Sequence, residues 1–260
     1  MLNIIAGTLS SGALAIPTSP VAGYSAWYDA ADTATISLSG SAVTQWNDKS
    51  ANAYNLTQGT AARRPQSGIN TMNSKNVITF DGNDVLLAAT AANWTFMNNS
   101  TGATVFCVAL FNDSVDPQYI MSTGGASGAN VGFLMDRTDT DELDVRVLRG
   151  VPGNNTSVLT SGALTDATAK YFSVVMDNSN ATASARLRFI INGGSELTGN
   201  VLTNAASSSN PLQPLYVGSY DTSGSSGTQG RIAEIVIYSG ILSNTDIATN
   251  NSYLANKWGI

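Results

Sequence analysis

Apolar residues in this chain fall in short runs that Gly, Asn, Asp and Ser interrupt, and several runs alternate apolar with polar positions. Alternation with a period of two is the pattern of a strand with one solvated face, and a run of about four to eight apolar residues suits a buried strand. Many short strands with frequent turn signals predict an all-β sandwich or jelly roll. The predicted strands are 77–80, 104–111, 131–135, 143–147, 171–176, 186–191, 215–218 and 232–238.

Helical periodicity is clear only near the C-terminus. Ser243 followed by Asp246 is a helix-start pattern, with an acid in the first turn. A single stripe at helical spacing then contains Ile247, Asn251, Leu254 and Trp258. We predict one short C-terminal helix that covers an edge of the sandwich and carries no site.

Residues 1–22 differ from the rest because they contain no charged side chain and are rich in Gly, Ala, Ser and Pro. Proline favours extended chain over helix, so Pro17 and Pro20 predict an extended N-terminal arm before a domain spanning 23–260. An apolar arm suggests a partner surface. The alternative is an edge strand with a disordered leader. The apolar residues assigned to assembly are Leu2, Ile4, Ile5, Leu9, Leu14 and Ile16.

The amino-acid composition argues against several classes of function. Charged residues make up 12% of the chain and the formal net charge is −6, so a nucleic-acid partner is not expected. There is no histidine, which removes the commonest general base and zinc ligand. No apolar run is long enough for a membrane-spanning helix, so no membrane association is predicted. Cys107, alone in an apolar run, is predicted to be buried and inert.

Segments 27–32, 43–50, 78–84, 215–219 and 230–260 together resemble the laminin-G-like domains of phages and bacteria, within the concanavalin A-like lectin/glucanase superfamily. The resemblance implies a two-sheet antiparallel jelly-roll sandwich with one short C-terminal helix. It also implies that Trp27, Trp46 and Phe80 are structural. The remaining alternative for these rings is sugar stacking on an exposed aromatic surface.

A glucanase of this superfamily would carry three alternating acids on one strand face, where two act as nucleophile and general acid/base. This chain has Glu142 and Asp144, but Arg146 occupies the third position. An arginine cannot replace the lost proton donor. We therefore predict a solvated strand face with no catalytic residue, and a protein that is not an enzyme.

Binding candidates lie in polar, loop-like segments. Trp94, Tyr119 and Tyr220 are predicted to stack on sugars, with Asp221 beside them. Residues 219–230 are predicted to form a recognition loop or an exposed tip. Asp113 and Asp116 flank one loop that could hold Ca²⁺, and Asp221 lies in another. No short oxygen-ligand motif occurs, so no cofactor is predicted and Ca²⁺ is the alternative.

The first function hypothesis is a phage virion protein, either a capsid decoration protein or a tail-associated one. The absence of a basic residue before Lys49 argues against a signal peptide and suits assembly in a host cytoplasm. Its expected partners are a major capsid or tail protein, and it is expected to form a homo-oligomer in the virion. The alternative is a carbohydrate-binding adhesion module of a tail fibre or bacterial surface protein, which would bind host-surface glycans at an extracellular location.

Overall fold

Antiparallel strands account for most of the regular structure. The computed structural model describes residues 16–112, 117–125, 130–150, 164–198, 203–224 and 226–260. A single-turn or longer 3₁₀ helix occurs at Thr33–Thr35, Ala61–Arg63, Ala91–Met97 and Ala183–Ala185. The strands are β1 (Ala26–Asp29), β2 (Ile36–Ser39), β3 (Ala42–Trp46), β4 (Leu56–Thr57), β5 (Gln66–Met72), β6 (Lys75–Asp81), β7 (Leu86–Leu87), β8 (Ala103–Phe111), β9 (Gln118–Ser122), β10 (Val131–Arg137), β11 (Leu143–Arg149), β12 (Lys170–Met176), β13 (Leu187–Ile191), β14 (Leu197–Thr198), β15 (Tyr216–Val217) and β16 (Gln229–Ser239), followed by helix α1 (Asn244–Trp258).

The strands form one hydrogen-bonded path that runs β11-β10-β9-β15-β7-β4-β3-β5-β6-β16-β8-β12-β13-β14. Strand β1 pairs with β16 beside β6, and β2 pairs with β3. Each pair of these strands is antiparallel, for example β8 with β12 and β10 with β11. Each predicted strand lies within or overlaps one of these elements.

The main core lies between two layers of this path. On β8, Val105 and Cys107 face the main core, whereas Phe106 and Val108 belong to a second cluster on the opposite face. Phe133 on β10, from the other half of the path, also enters the main core. Two strand layers therefore enclose one core, and the predicted all-β sandwich is confirmed. Burial raises the pKa of the Cys107 thiol, which keeps it protonated.

Helix α1 begins and ends as its sequence dictates. The Ser243 Oγ accepts a hydrogen bond from the Asp246 backbone N–H at 3.1 Å, and Gly259 ends the helix with φ of +69°. The predicted stripe is buried, but it packs on the outer face of β8, β12 and β16 instead of covering a sandwich edge. A broad apolar stripe needs a sheet face to bury it, because an edge offers backbone polar groups. No described helix is long and apolar enough to cross a membrane.

The residues predicted to be structural pack inside the fold. Trp46 and Phe80 are almost fully buried in the main core. Trp27 is half-buried on the helix side, where its indole N–H donates to Glu234 at 2.7 Å. The Lys49 ammonium lies 4.1 Å from the centroid of the Trp27 ring.

The chain that leads into β1 contacts helix α1. The Val21 N–H donates to the Asn250 side chain at 2.8 Å, and the Tyr238 hydroxyl donates to the Val21 carbonyl at 2.6 Å. Pro20 is buried beside them. Ile16 is 61% exposed. The other residues assigned to the predicted arm lie outside the described residues: Leu2, Ile4, Ile5, Leu9 and Leu14.

Candidate functional site

Trp94, the first aromatic binding candidate, belongs to the core. It lies in the 3₁₀ helix Ala91–Met97, is fully buried, and packs edge-to-face against Tyr54 with ring centroids 5.3 Å apart. Residues three apart share a face of a 3₁₀ helix, so Trp94 and Met97 both point inward. The prediction that Trp94 is available for sugar stacking was wrong.

Tyr119 and Tyr220 meet on the outer face of the sandwich layer that lacks the helix. Their ring centroids are 4.6 Å apart with an interplanar angle of 52°. Tyr119, on β9, is 8% exposed and packs with Leu134 and Leu148. Tyr220 covers this cluster and is itself half-buried, so the exposed ring surface belongs to Tyr220 while Tyr119 supports it.

Arg146 lies beside Tyr119 and bridges two carboxylates. Its Nη2 is 2.6 Å from Asp136 Oδ1, and its Nε is 3.2 Å from Asp144 Oδ2. The guanidinium carbon lies 5.8 Å from the centroid of the Tyr119 ring, and Nη2 is 3.4 Å from the Tyr119 hydroxyl. Strand register explains the grouping, because Asp136 is the cross-strand partner of both Asp144 and Tyr119. We call Tyr119, Tyr220, Arg146, Asp136 and Asp144 the tyrosine–arginine face.

The ion pairs of this face are largely withdrawn from solvent. Burial raises the pKa of Asp136 above its ordinary value, although Arg146 opposes the shift. Burial alone would lower the pKa of Arg146, but the charges of Asp136 and Asp144 raise it well above its usual range. Arg146 therefore stays charged. The prediction of a solvated strand face was wrong, since Asp144 is buried; its neighbour Glu142 instead accepts a hydrogen bond from Thr140 at 2.8 Å.

The segment that carries Tyr220 is fixed by polar contacts. Gln213 donates from its amide to the Tyr220 carbonyl, and Thr228 donates from its hydroxyl to the Tyr119 carbonyl at 2.9 Å. Ser219 and Thr228 are fully buried, so residues 219–230 do not form an exposed tip throughout. Asp221 forms an Asx turn, in which its carboxylate accepts from the Ser223 N–H at 2.8 Å.

Calcium ligation has limited support among the described residues. Asp113 and Asp116 lie outside them. The Oδ1 of Asp221 accepts from both the N–H and the hydroxyl of Ser223. No group of three or more His, Cys, Asp or Glu side chains that could hold a metal ion occurs within the described parts of the chain. The absence of a cofactor therefore stays a prediction, with Ca²⁺ as its alternative.

The tyrosine–arginine face can bind a ligand by stacking and hydrogen bonding. Tyr220 offers ring surface, and the polar groups beside it are already oriented by ion pairs. Sequence analysis missed Asp136 as a member of the site and Gln213 as a support of the Tyr220 segment. Asp136 was visible as a charged residue at the end of an apolar run, but its pairing with Arg146 depends on strand register that the sequence does not state.

Similar folds occur among solved structures. The sequence matches no protein-family model and none of the curated proteins. The CBM40 of the Ruminococcus gnavus IT-sialidase, bound to α2,3-sialyllactose, is 11% identical with a TM-score of 0.54, covering 66% of this chain and 94% of that chain. The Trypanosoma rangeli sialidase in complex with sialic acid is 14% identical with a TM-score of 0.60, covering 94% of this chain and 34% of that chain. The NanB sialidase of Streptococcus pneumoniae is 16% identical with a TM-score of 0.51, covering 66% of this chain and 27% of that chain.

These identities establish a shared fold and leave function open. The chain spans about a third or less of the two sialidases but nearly the whole length of the CBM40. Its architecture is therefore a β-sandwich similar in fold to a sialidase CBM40 and to parts of larger sialidases.

Proposed function

We propose that this chain is a non-enzymatic carbohydrate-binding module and that its glycan binds on the tyrosine–arginine face. The observation that carries the proposal is the half-buried Tyr220 ring seated on Tyr119, beside the oriented Arg146 and its carboxylates. Aromatic rings offer a large rigid surface to the apolar face of a sugar, and buried ion pairs fix the positions of polar partners. The CBM40 bound to sialyllactose supports the proposal by analogy, because it has a similar fold.

The charges of the face favour a neutral glycan over an acidic one. One arginine is held between two carboxylates, so the ionised triad has a net charge of −1. The whole chain also has a formal net charge of −6. An acidic sugar would have to compete with Asp136 and Asp144 for Arg146. This distinguishes the expected ligand from the sialic acid found in the sialidase complex.

The same triad is unsuited to glycoside hydrolysis. Two carboxylates that flank a sugar could serve as acid and nucleophile only if one were free to donate a proton. Here Arg146 pairs with both, and its high pKa prevents it from acting as the acid.

A matched pair of glycans tests the proposal. Calorimetric titration with lactose and with sialyllactose compares a neutral sugar and its acidic derivative, after a glycan array has selected further neutral ligands. We expect neutral glycans to bind more tightly. Tyr220→Ala should weaken that binding roughly 2- to 10-fold, since stacking contributes about 0.5–1.5 kcal/mol.

Two control variants separate stacking from general damage. Tyr220→Phe keeps the ring and should bind nearly as the parent does, whereas Ile69→Ala removes an exposed apolar side chain elsewhere. The proposal fails if no neutral glycan binds, if sialyllactose binds more tightly than lactose, or if Tyr220→Ala binds as the parent does.

A phage virion role is the second candidate. It is supported by the charge-free residues 1–22 and by the 61% exposure of Ile16 just ahead of the docked residues Pro20 and Val21. In this role the laminin-G-like domain would sit on a capsid or tail protein as a homo-oligomer, and glycan binding would serve attachment. Deletion of residues 2–15 should leave a folded domain that no longer attaches to particles. Unchanged attachment would contradict the role.

A further inference from the structure

A groove lies on the side of the sandwich opposite the tyrosine–arginine face, between helix α1 and the turn after β13. Its volume is about 660 Å³, within the range of small-molecule sites. Ile190, Ile247 and Ala255 give it an apolar surface. Amide and hydroxyl groups make up most of the remaining lining, from Tyr171, Asn192, Asn244, Asn251, Ser252 and Asn256.

Asn251 places a buried, unpaired amide oxygen at this groove. It is 6% exposed, and its Oδ1 is buried with no hydrogen-bond partner among the described residues. An unsatisfied buried amide costs about 1–3 kcal/mol, so its position in a groove lining calls for a ligand or water to satisfy it. Its neighbour Asn250, in contrast, is fully engaged with Val21 and Tyr238.

The turn after β13 keeps the Tyr171 hydroxyl at the groove. Asn192 accepts a hydrogen bond from the Tyr171 backbone N–H at 3.0 Å, and Gly193 follows with φ of +65°. A Cβ at residue 193 would lie 2.7 Å from the Tyr171 hydroxyl oxygen, so a larger residue there would have to displace that hydroxyl, besides straining a backbone with positive φ. This oxygen makes no hydrogen bond with the described residues, although Tyr171 is 5% exposed overall.

The lining is almost neutral. Among the described lining residues Glu196 is the one that carries a charge, and the Arg188 guanidinium lies 2.8 Å from that carboxylate. No basic side chain lines the groove in the described part of the chain. An anionic ligand would therefore meet the Glu196 carboxylate, which already pairs with Arg188, whereas amides can both donate to and accept from uncharged hydroxyls.

We propose that this groove is a second binding site and that its ligand is a neutral saccharide. A sugar ring presents an apolar face and a rim of hydroxyls, which match the aliphatic residues and the amides of the groove. The Asn251 Oδ1 supplies an unmatched polar atom that the sugar would satisfy, and the Tyr171 hydroxyl offers a further hydrogen-bonding group in the lining. The groove shares no residue with the tyrosine–arginine face, so this inference does not depend on that proposal.

Nuclear magnetic resonance titration of the whole chain tests the site. The probes are glucose, galactose and N-acetylglucosamine, with glucuronate as the acidic counterpart of glucose, each up to about 50 mM because single-sugar affinities are weak. We expect a neutral sugar to shift the backbone amide signals of Gly193 and Ser252 in a saturable manner. Glucuronate should bind at least about tenfold more weakly than glucose-type sugars.

Blocking variants connect these shifts to the groove. Ala248 and Ser252 are exposed helix residues of the lining, so Ala248→Trp and Ser252→Trp should fill the groove without unfolding the protein. Each should lower the affinity at least about tenfold. Leu38→Trp, at a 48% exposed position outside the lining, should change it less than twofold.

Three results would overturn the inference: no shift with any neutral sugar, shifts that persist in both blocking variants, or stronger binding of glucuronate. Tyr220→Ala should leave the groove signals unchanged. If that variant abolishes them together with lactose binding, the chain has one site, on the tyrosine–arginine face. If lactose binding fails while the groove still binds, only the proposed function is lost.

Discussion

Glu234 accepts a hydrogen bond from the indole of Trp258, with Nε1 2.7 Å from Oε2, and this contact ties helix α1 to strand β16. The same fully buried carboxylate accepts from Trp27 and Tyr253, each at 2.7 Å, and pairs with Lys257 at 2.9 Å. One side chain therefore joins β1, β16 and α1. A buried carboxylate is tolerated because hydrogen bonds and a cation compensate for its lost hydration.

Glu234→Gln should destabilise the protein by about 3 kcal/mol. An amide brings an N–H group toward one of the donors that now point at the carboxylate, and it removes one of the two buried carboxylates, Glu234 and Asp29, that pair with the Lys257 ammonium. Urea unfolding followed by tryptophan fluorescence measures the change. Glu196→Gln is the control, because its more exposed pair with Arg188 should contribute at most about 1 kcal/mol.

Burial raises the pKa of Glu234, whereas Lys257 opposes that shift. A loss below about 1 kcal/mol in Glu234→Gln would mean that the carboxyl is protonated in the folded protein, so that the amide replaces a neutral group. That outcome would contradict the ion pair with Lys257.

Trp94→Ala should cost about 3–5 kcal/mol of folding free energy, since it removes a large, fully buried ring from the main core. Thermal or urea unfolding measures this loss. Under conditions where the variant is folded, its affinity for glycans should equal that of the parent protein. A variant that keeps its stability but loses glycan binding would restore Trp94 as a binding residue. Leu212→Ala, at a 59% exposed position, is the control.

The C-terminal helix shows how much the sequence could predict. Ser243 and Asp246 cap the helix by a local contact, and the stripe through Ile247 and Trp258 follows from helical geometry alone. What the stripe would pack against could not be predicted, because that depends on which strands become neighbours. Glu234 was not recognised for the same reason: its donors Trp27 and Trp258 come from the two ends of the chain.

The candidate site was harder to predict than the fold. Trp94 and Tyr220 both adjoin polar residues in the sequence, yet one is in the core and the other is at the surface. Burial is decided by tertiary packing, which local polarity does not report. Arg146 was correctly noted as a departure from an alternating acid pattern, but its role as the partner of Asp136 emerged only from the β10–β11 register.

Arg146→Met should cost about 2–4 kcal/mol, because it leaves the buried Asp136 carboxylate without a cation and close to Asp144. Adding Asp136→Asn removes the uncompensated charge, so the double variant should recover at least about 1 kcal/mol. A double-mutant cycle from urea unfolding gives the coupling energy of the two side chains. Additive effects would show that the ion pair does not stabilise the fold.

The stability of the turn after β6 should depend on pH through Asp84. Burial, and then the charge of Asp81, raise the pKa of Asp84 to about 7, while Arg63 opposes the shift. The Asp84 Oδ2 also accepts a hydrogen bond from the Asp81 N–H at 3.0 Å. In the unfolded chain an aspartate has a pKa of about 3.9. Between about pH 4 and pH 7 the folded state therefore holds a proton that the unfolded state has lost.

Stability must then fall as pH rises through that interval, by up to about 1.4 kcal/mol per pH unit from this group, and level off above about pH 7. Asp84→Asn keeps an oxygen that can accept from the Asp81 N–H but cannot ionise. Its free energy of unfolding should change less between pH 5 and pH 8 than that of the parent, and it should be the more stable of the two at pH 8. If the two proteins show parallel pH profiles, Asp84 is already ionised at pH 5. In that case solvent or the charge of Arg63 stabilises the ionised carboxylate more than its burial beside Asp81 destabilises it.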